Sequence, residues 1–203
     1  MKLEDITSKV AESKTLVFGI KAIISASQHF FWENVTPFQD VIEGPGSSAR
    51  AVEILKLNKC KKALIVTDKV LVSLGVLKTM TDAMDAAGFP YAIFDGVEPN
   101  PTIENIDAAY ALYKKEGCDC AVAVGGGSSI DCAKIALCNA ARPNLTAEKL
   151  GRAMGYFPVT FAGKWKEVPF LMAIPTTAGT GSESTVAAVM SNVRTDQKIT
   201  VSD

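Results

Sequence analysis

The chain has 203 residues, enough for one well-buried domain and a short appendage. Hydrophobic residues make up 48% and charged residues 21%, a balance that excludes an intrinsically disordered chain. Net charge is −1 and the pI is about 5.9, which leaves no electrostatic footprint for nucleic acid or for an acidic membrane surface.

Residues 1–33 read as an N-terminal extension. Leu3, Ile6 and Val10 fall at helical spacing between polar residues, which predicts a short amphipathic helix. Lys21 breaks the apolar stretch Leu16–Ser25, and Glu4, Asp5 and Glu12 precede it. That pattern fits neither a secretory signal nor a mitochondrial transit peptide, and no apolar run is long enough to span a bilayer. A cytoplasmic location is the expectation.

Phe38–Glu43 reads as a short strand, followed by a turn at Gly44-Pro-Gly46. Ser47 or Ser48 is a candidate cap for a helix over Ala49–Leu57. Ala63–Thr67 is a continuous apolar run, as expected of a strand buried on both faces of a parallel sheet. A helix over Val76–Ala87 is closed by Gly88, and Tyr91–Phe94 is the next strand. Thr102 caps a helix that Gly117 stops. Cys120–Val124 is a third strand, and Gly125–Ser128 leads into a helix over Ile130–Ala140. Phe170–Ile174 is a fourth strand, ended by Pro175. Thr185–Asp203 reads as strand, turn at Asn192–Gln197, strand.

Strands alternating with helices of this length predict an α/β fold with a doubly wound, mostly parallel, Rossmann-like sheet. Ligands of such sheets bind beyond the C-terminal ends of the strands. Five cysteines, at 60, 118, 120, 132 and 138, lack framework spacing and read as free thiols. His29 is the single histidine, so a histidine-rich metal site cannot be built within this sequence.

Three segments carry chemistry. Val124-Gly-Gly-Gly-Ser-Ser-Ile-Asp131 runs strand, glycine loop, helix. Glycine lets backbone approach a ligand closely, and a helix N-terminus presents free N–H groups to phosphate. The segment is neither G-x-G-x-x-G nor a P-loop, so a tight structural turn remains the alternative. Asp68 follows the first buried strand, where a carboxylate accepts hydrogen bonds from ribose hydroxyls or simply caps a helix. Pro175-Thr-Thr-Ala-Gly-Thr-Gly-Ser-Glu183 alternates hydroxyls with small residues, as a loop lying close against a ligand would.

In this order, the glycine segment and the threonine segment resemble the iron-dependent, or group III, alcohol dehydrogenases. Leu64-Ile-Val-Thr-Asp-Lys69 is similar to that family's first βα unit. The resemblance runs from about residue 34 to the end, and includes the ethanolamine-utilisation and propanediol types. It implies a dinucleotide-binding domain over residues 34–203. It implies NAD as cofactor, and hydride transfer between a small primary alcohol or aldehyde and the nicotinamide.

By the same resemblance, Asp68 contacts the ribose, and Gly126, Gly127 and Ser128 form the pyrophosphate loop. Asp131 lies towards the nicotinamide, Thr176, Thr177 and Thr180 line the cofactor cleft, and Lys198 lies near the nicotinamide ribose. The family's iron (or zinc) is held by Asp-x-x-x-His and two later histidines in a helical C-terminal domain. No histidine follows residue 29, so that domain is expected to be absent, with no metal ligand and no catalytic residue in this chain. The chain alone is expected to be inactive. An inactive nucleotide-binding or assembly subunit is the alternative, and a glycerol dehydrogenase-like enzyme is a third, disfavoured by the threonine run. Residues 1–33 are a candidate docking segment for a second copy of the chain or for a bacterial microcompartment partner.

Overall fold

The computed structural model describes residues 40–154 and 168–202. The elements below belong to one compact unit, Ile42–Asp203. The extension and its expected docking role lie outside the described residues. Among the described residues, no helix is long and apolar enough to cross a membrane.

Four parallel strands form one sheet: β1 (Ala63–Val66), β2 (Tyr91–Phe94), β3 (Cys120–Gly125) and β4 (Phe170–Pro175), in the order β2-β1-β3-β4. The apolar runs explain themselves by their alternation. Leu64 and Val66 of β1, with Ala121 and Ala123 of β3, enter the core on one face. Ala63 and Ile65, with Cys120, Val122 and Val124, enter the core on the other. Because side chains point to opposite faces with a period of two, both faces are covered only if every position is apolar.

One face packs on α1 (Ala51–Leu57) and α3 (Lys78–Ala86), through Leu55, Met80 and Met84. The other packs on α4 (Ile103–Glu116), α5 (Gly127–Ala141) and α6 (Ala147–Met154). The doubly wound expectation is therefore met. Thr102 caps α4 by accepting from Asn105 N at 3.1 Å, and Asn105 Oδ1 accepts in return from Thr102 N at 3.3 Å. Gly117, at φ 65°, ends that helix as expected.

Three expectations change. The expected helix Val76–Ala87 is present as α3 but starts at Lys78, and a short unexpected helix, α2 (Lys69–Ser73), precedes it, with Gly75 turning left-handed at φ 68° between them. The first helix starts as a 3-10 turn, Ser47–Arg50, and no serine side chain caps it. Residues 40–43 pair with no strand, so the described part of Phe38–Glu43 is not in a sheet. A strand needs a partner for its backbone N–H and C=O groups, and an apolar pattern alone does not provide one.

The C-terminal segment forms the expected hairpin, β5 (Ala187–Asn192) and β6 (Gln197–Ser202), antiparallel and separate from the main sheet. Ala188, Met190 and Val201 bury it against the α5 core. Ser191 N donates to Pro101 O at 2.8 Å and ties the hairpin to the start of α4.

Candidate functional site

The strand order puts β1 and β3 side by side at the point where the winding reverses direction. Beyond their C-terminal ends lies the crevice that such sheets offer to ligands. In register, Val66 stands opposite Ala123, and Gly125 stands opposite Pro175. The three chemistry-bearing segments therefore leave the sheet at one edge.

Asp68 is half-buried there, in extended conformation, and is the N-cap of α2. Its Oδ1 accepts from Leu71 N at 2.9 Å, so the capping role is present. Among the described residues Oδ2 makes no hydrogen bond. The same α2 brings Leu71 beside the glycine turn, 3.5 Å from where a Cβ on Gly125 would lie.

Gly125 adopts φ 150°, and Gly126 is the extended N-cap of α5 with no side-chain cap bond. The first-turn N–H groups of α5 thus have no capping side chain. Thr176 N donates to Gly125 O at 3.0 Å, which sets the threonine loop against the glycine turn. A Cβ on Gly126 would lie 3.1 Å from Thr177 Oγ1. A Cβ on Gly127 would lie 2.9 Å from Ser182 Oγ and 3.6 Å from Thr180 Cβ. Close approach of the Ser182 hydroxyl therefore favours glycine at 127, with no contribution from an unusual backbone angle.

The threonine loop is internally braced. Thr180 Oγ1 donates to Glu183 Oε2 at 2.8 Å, and Gly179 and Gly181 bend the chain at φ 77° and 68°. The backbone N–H of Glu183 and the Thr180 hydroxyl hold the Glu183 carboxyl below its ordinary value.

Lys198 reaches the same edge from β6. Its Nζ donates to Asn100 Oδ1 at 3.3 Å, and Asn100 N donates to Ser128 Oγ at 3.2 Å. Asn100 thus links the glycine turn to the cation. Sequence reasoning missed it. The signal was an asparagine between two prolines, Pro99 and Pro101, which here takes the left-handed φ of 58°.

Asp131 is placed differently from the other expected residues. Its carboxylate points at β5, where Oδ2 accepts from Val189 N at 2.9 Å. Oδ1 is buried, and among the described residues no hydrogen bond of ordinary geometry reaches it. Burial raises its pKa, while the Val189 N–H, Lys134 and the nearby Ser182 hydroxyl oppose that shift.

Lys134, one turn further along α5, was also missed. Its Nζ donates to the carbonyls of Ser182, Thr185 (2.7 Å) and Ala187 (3.2 Å). Its signal was a cation, accompanied only by Asp131, on a helix that otherwise buries Ile130, Ala133, Ile135 and Leu137.

The edge thus assembles Gly126, Gly127, Ser128, Thr176, Thr177 and Thr180, with Lys198 joined through Asn100 and Asp68 on the neighbouring strand end. An apolar hollow of about 180 Å³ lies along α5, β4 and the hairpin, and none of these residues lines it. Among the described residues no group of three His, Cys, Asp or Glu is arranged to hold a metal, so no step through a metal is derived.

Comparison with known proteins identifies the family. The family described as iron-containing alcohol dehydrogenase matches residues 39–203. Lactaldehyde reductase of Escherichia coli (strain K12) is 38% identical over 160 residues, covering 79% of this chain and 40% of the relative. NAD-dependent methanol dehydrogenase of Bacillus methanolicus is also 38% identical over 160 residues, with the same coverage of 79% and 40%. Sulfoacetaldehyde reductase from Bifidobacterium kashiwanohense, solved in complex with NAD+, superposes with a TM-score of 0.64 at 27% identity, over 82% of this chain and 43% of that one. The chain thus spans about 40% of the length of the curated relatives it matches. With its parallel sheet, its glycine turn and its threonine loop in the matched region, the chain belongs to the iron-containing alcohol dehydrogenase family.

Proposed function

We propose that residues 34–203 are the NAD-binding domain of an oxidoreductase acting on a small primary alcohol or aldehyde. The observation that carries this reading is the packing of the threonine loop on the glycine turn, where Cβ atoms at 126 and 127 would crowd Thr177 and Ser182. A cradle with backbone exposed and side chains withdrawn fits a pyrophosphate, whose charge the uncapped N–H groups of α5 would meet. Ser128 adds a hydroxyl, and Lys198 adds a positive charge on the far side of Asn100. Asp68 Oδ2 is left to accept from the adenosine ribose, while Oδ1 keeps its capping bond. NAD, when bound, supplies the hydride acceptor. The chain's own residues bind it, orient it and exclude its 2′-phosphorylated form.

The test is titration of the 203-residue chain with NADH and NADPH, followed by cofactor fluorescence. NADH is expected to bind more tightly than NADPH. Asp68→Asn keeps an acceptor for Leu71 N but removes the charge. It should narrow the preference by roughly tenfold, about 1.4 kcal/mol, without lowering the melting temperature. Asp68→Gly should narrow it as well, at a cost of a few tenths of a kcal/mol for the weaker cap. Equal affinity for both cofactors in the unmodified chain would remove Asp68 from the site. A folded chain that binds neither would overturn the whole reading.

This polypeptide by itself is expected to show no alcohol dehydrogenase turnover when iron or zinc is added. With His29 as its single histidine, it has too few imidazoles for the family's metal site. Metal-dependent oxidation of any primary alcohol by the purified chain would contradict this.

A further inference from the structure

Helix α5 bears on both walls of the proposed cleft. Its first turn, with Gly127 and Ser128, is the glycine wall. Its second turn, with Asp131 and Lys134, grips the segment that continues from the threonine wall. Lys134 Nζ reaches three backbone carbonyls, of Ser182, Thr185 and Ala187, and lies 3.3 Å from Thr185 Oγ1. Two residues beyond the last of these carbonyls, Asp131 takes the N–H of Val189 at 2.9 Å. An anion and a cation three positions apart on one helix face thus engage a run of eight residues, 182–189, chiefly through its backbone.

The grip has a geometric consequence. Ser182, whose carbonyl Lys134 holds, carries the hydroxyl that would meet a Cβ on Gly127 at 2.9 Å. Thr180, two residues earlier, would lie with its Cβ 3.6 Å from the same added atom. The spacing between the two walls is therefore set where Lys134 closes on the loop. Ser184, Thr185 and Val186 are exposed, so little apolar burial is available there to hold the segment in place. A half-buried ammonium satisfied by carbonyls replaces that missing packing, because breaking the bonds would leave the charge partly desolvated and unpaired.

We propose that Lys134 is a positioning residue: it fixes the Ser182–Ala187 segment against α5 and thereby holds the threonine loop at the distance that a bound dinucleotide requires. The proposal rests on the NAD reading for its consequence, but not for its geometry. It concerns backbone carbonyls, so the identity of the loop side chains matters little to the grip. It predicts that a loss of Lys134 loosens one wall of the cleft and leaves the sheet untouched.

The experiment uses the 203-residue chain and its variants K134M, K134Q and K134R. NADH titration reads the cofactor site, and amide hydrogen exchange reads the loop. For K134M, the NADH dissociation constant should rise at least tenfold. Amides of 182–189 should exchange faster, while those of β1 and β3 keep their protection. K134R keeps a charged donor and should recover affinity to within about threefold of the unmodified chain. If K134M fails to fold, K134Q takes its place, with two N–H donors and no charge, and the same loss is expected. Unchanged exchange over 182–189, or K134R as impaired as K134M, would overturn the proposal. So would failure of all three variants to fold, which would make Lys134 a residue of the core. If the unmodified chain binds no NADH, the cofactor reading falls. The exchange data would still decide whether Lys134 holds the loop.

Discussion

Gly126→Val is expected to abolish dinucleotide binding in a protein that still folds. Gly126 has φ −81° and ψ −168°, an extended conformation that valine adopts without strain. β-Branched residues favour that region, so the backbone does not require glycine at this position. The nearest neighbour of a new Cβ would be Thr177 Oγ1 at 3.1 Å, on an exposed loop residue that can shift by a few tenths of an ångström. The folded state should therefore lose no more than about 1 kcal/mol, within the range of ordinary substitutions. The two added γ-carbons, however, would occupy the space in front of the α5 N-terminus. A pyrophosphate would be held away from the first-turn N–H groups, whose attraction falls off within a turn. Loss of those charge-assisted hydrogen bonds should weaken NADH binding on the order of a hundredfold, equivalent to about 2.7 kcal/mol. The check is an NADH titration beside a thermal melt of the same preparation. Binding that survives in a folded variant would make this segment a structural βα turn.

The contrast between positions 125, 126 and 127 shows how far a sequence can be read. The three glycines look alike in the chain, and each serves a different physical need. Gly125 needs its backbone angle and has a buried neighbour, Gly127 accommodates the close approach of Ser182, and Gly126 has the proposed role of leaving space for a ligand. Only the general presence of a glycine loop was legible. The strands were legible because burial on both faces forces unbroken apolar runs, as in Ala63–Val66 and Cys120–Val124. The ends of α4 were legible because Thr102 and Gly117 act within a few residues of themselves. Helix α2 was not, since it is only five residues long and Val70 and Val72 lower helix propensity, although the capping role of Asp68 was one of its two readings. Nor was the direction of Asp131. It sits on the helix that carries the glycine turn, but β5 is 58 positions away in sequence and claims its carboxylate with the Val189 N–H. Local pattern reports local physics. Contacts made by Lys134, Asn100 and Asp131 across long sequence separations become visible only when the fold brings the segments together.

Gly125→Ala is expected to have the opposite outcome to Gly126→Val, a loss of stability before any loss of chemistry. At φ 150° an L side chain is strained whatever space surrounds it, and such a conformation costs on the order of 1–3 kcal/mol. Space is also lacking. The new Cβ would collide with Ser129 Oγ and would lie 2.8 Å from Ser129 Cβ. Ser129 is only 2% exposed, so its side chain cannot swing out into solvent, and overpacking of this kind adds roughly another 1–3 kcal/mol. A total of about 2–6 kcal/mol would lower the melting temperature by roughly 4–24 °C for a domain of this size. The two causes can be separated. Ser129→Gly deletes both colliding atoms, at about 1 kcal/mol for glycine inside a helix. If the collision is real, the double variant should be more stable than the sum of the two single losses predicts, by roughly the overpacking share of about 1–3 kcal/mol. The backbone strain should persist in it. Chemical denaturation of the four proteins in one buffer gives the coupling directly. Strict additivity would show that Ser129 is not the obstacle, and that the left-handed angle alone demands glycine at the end of β3.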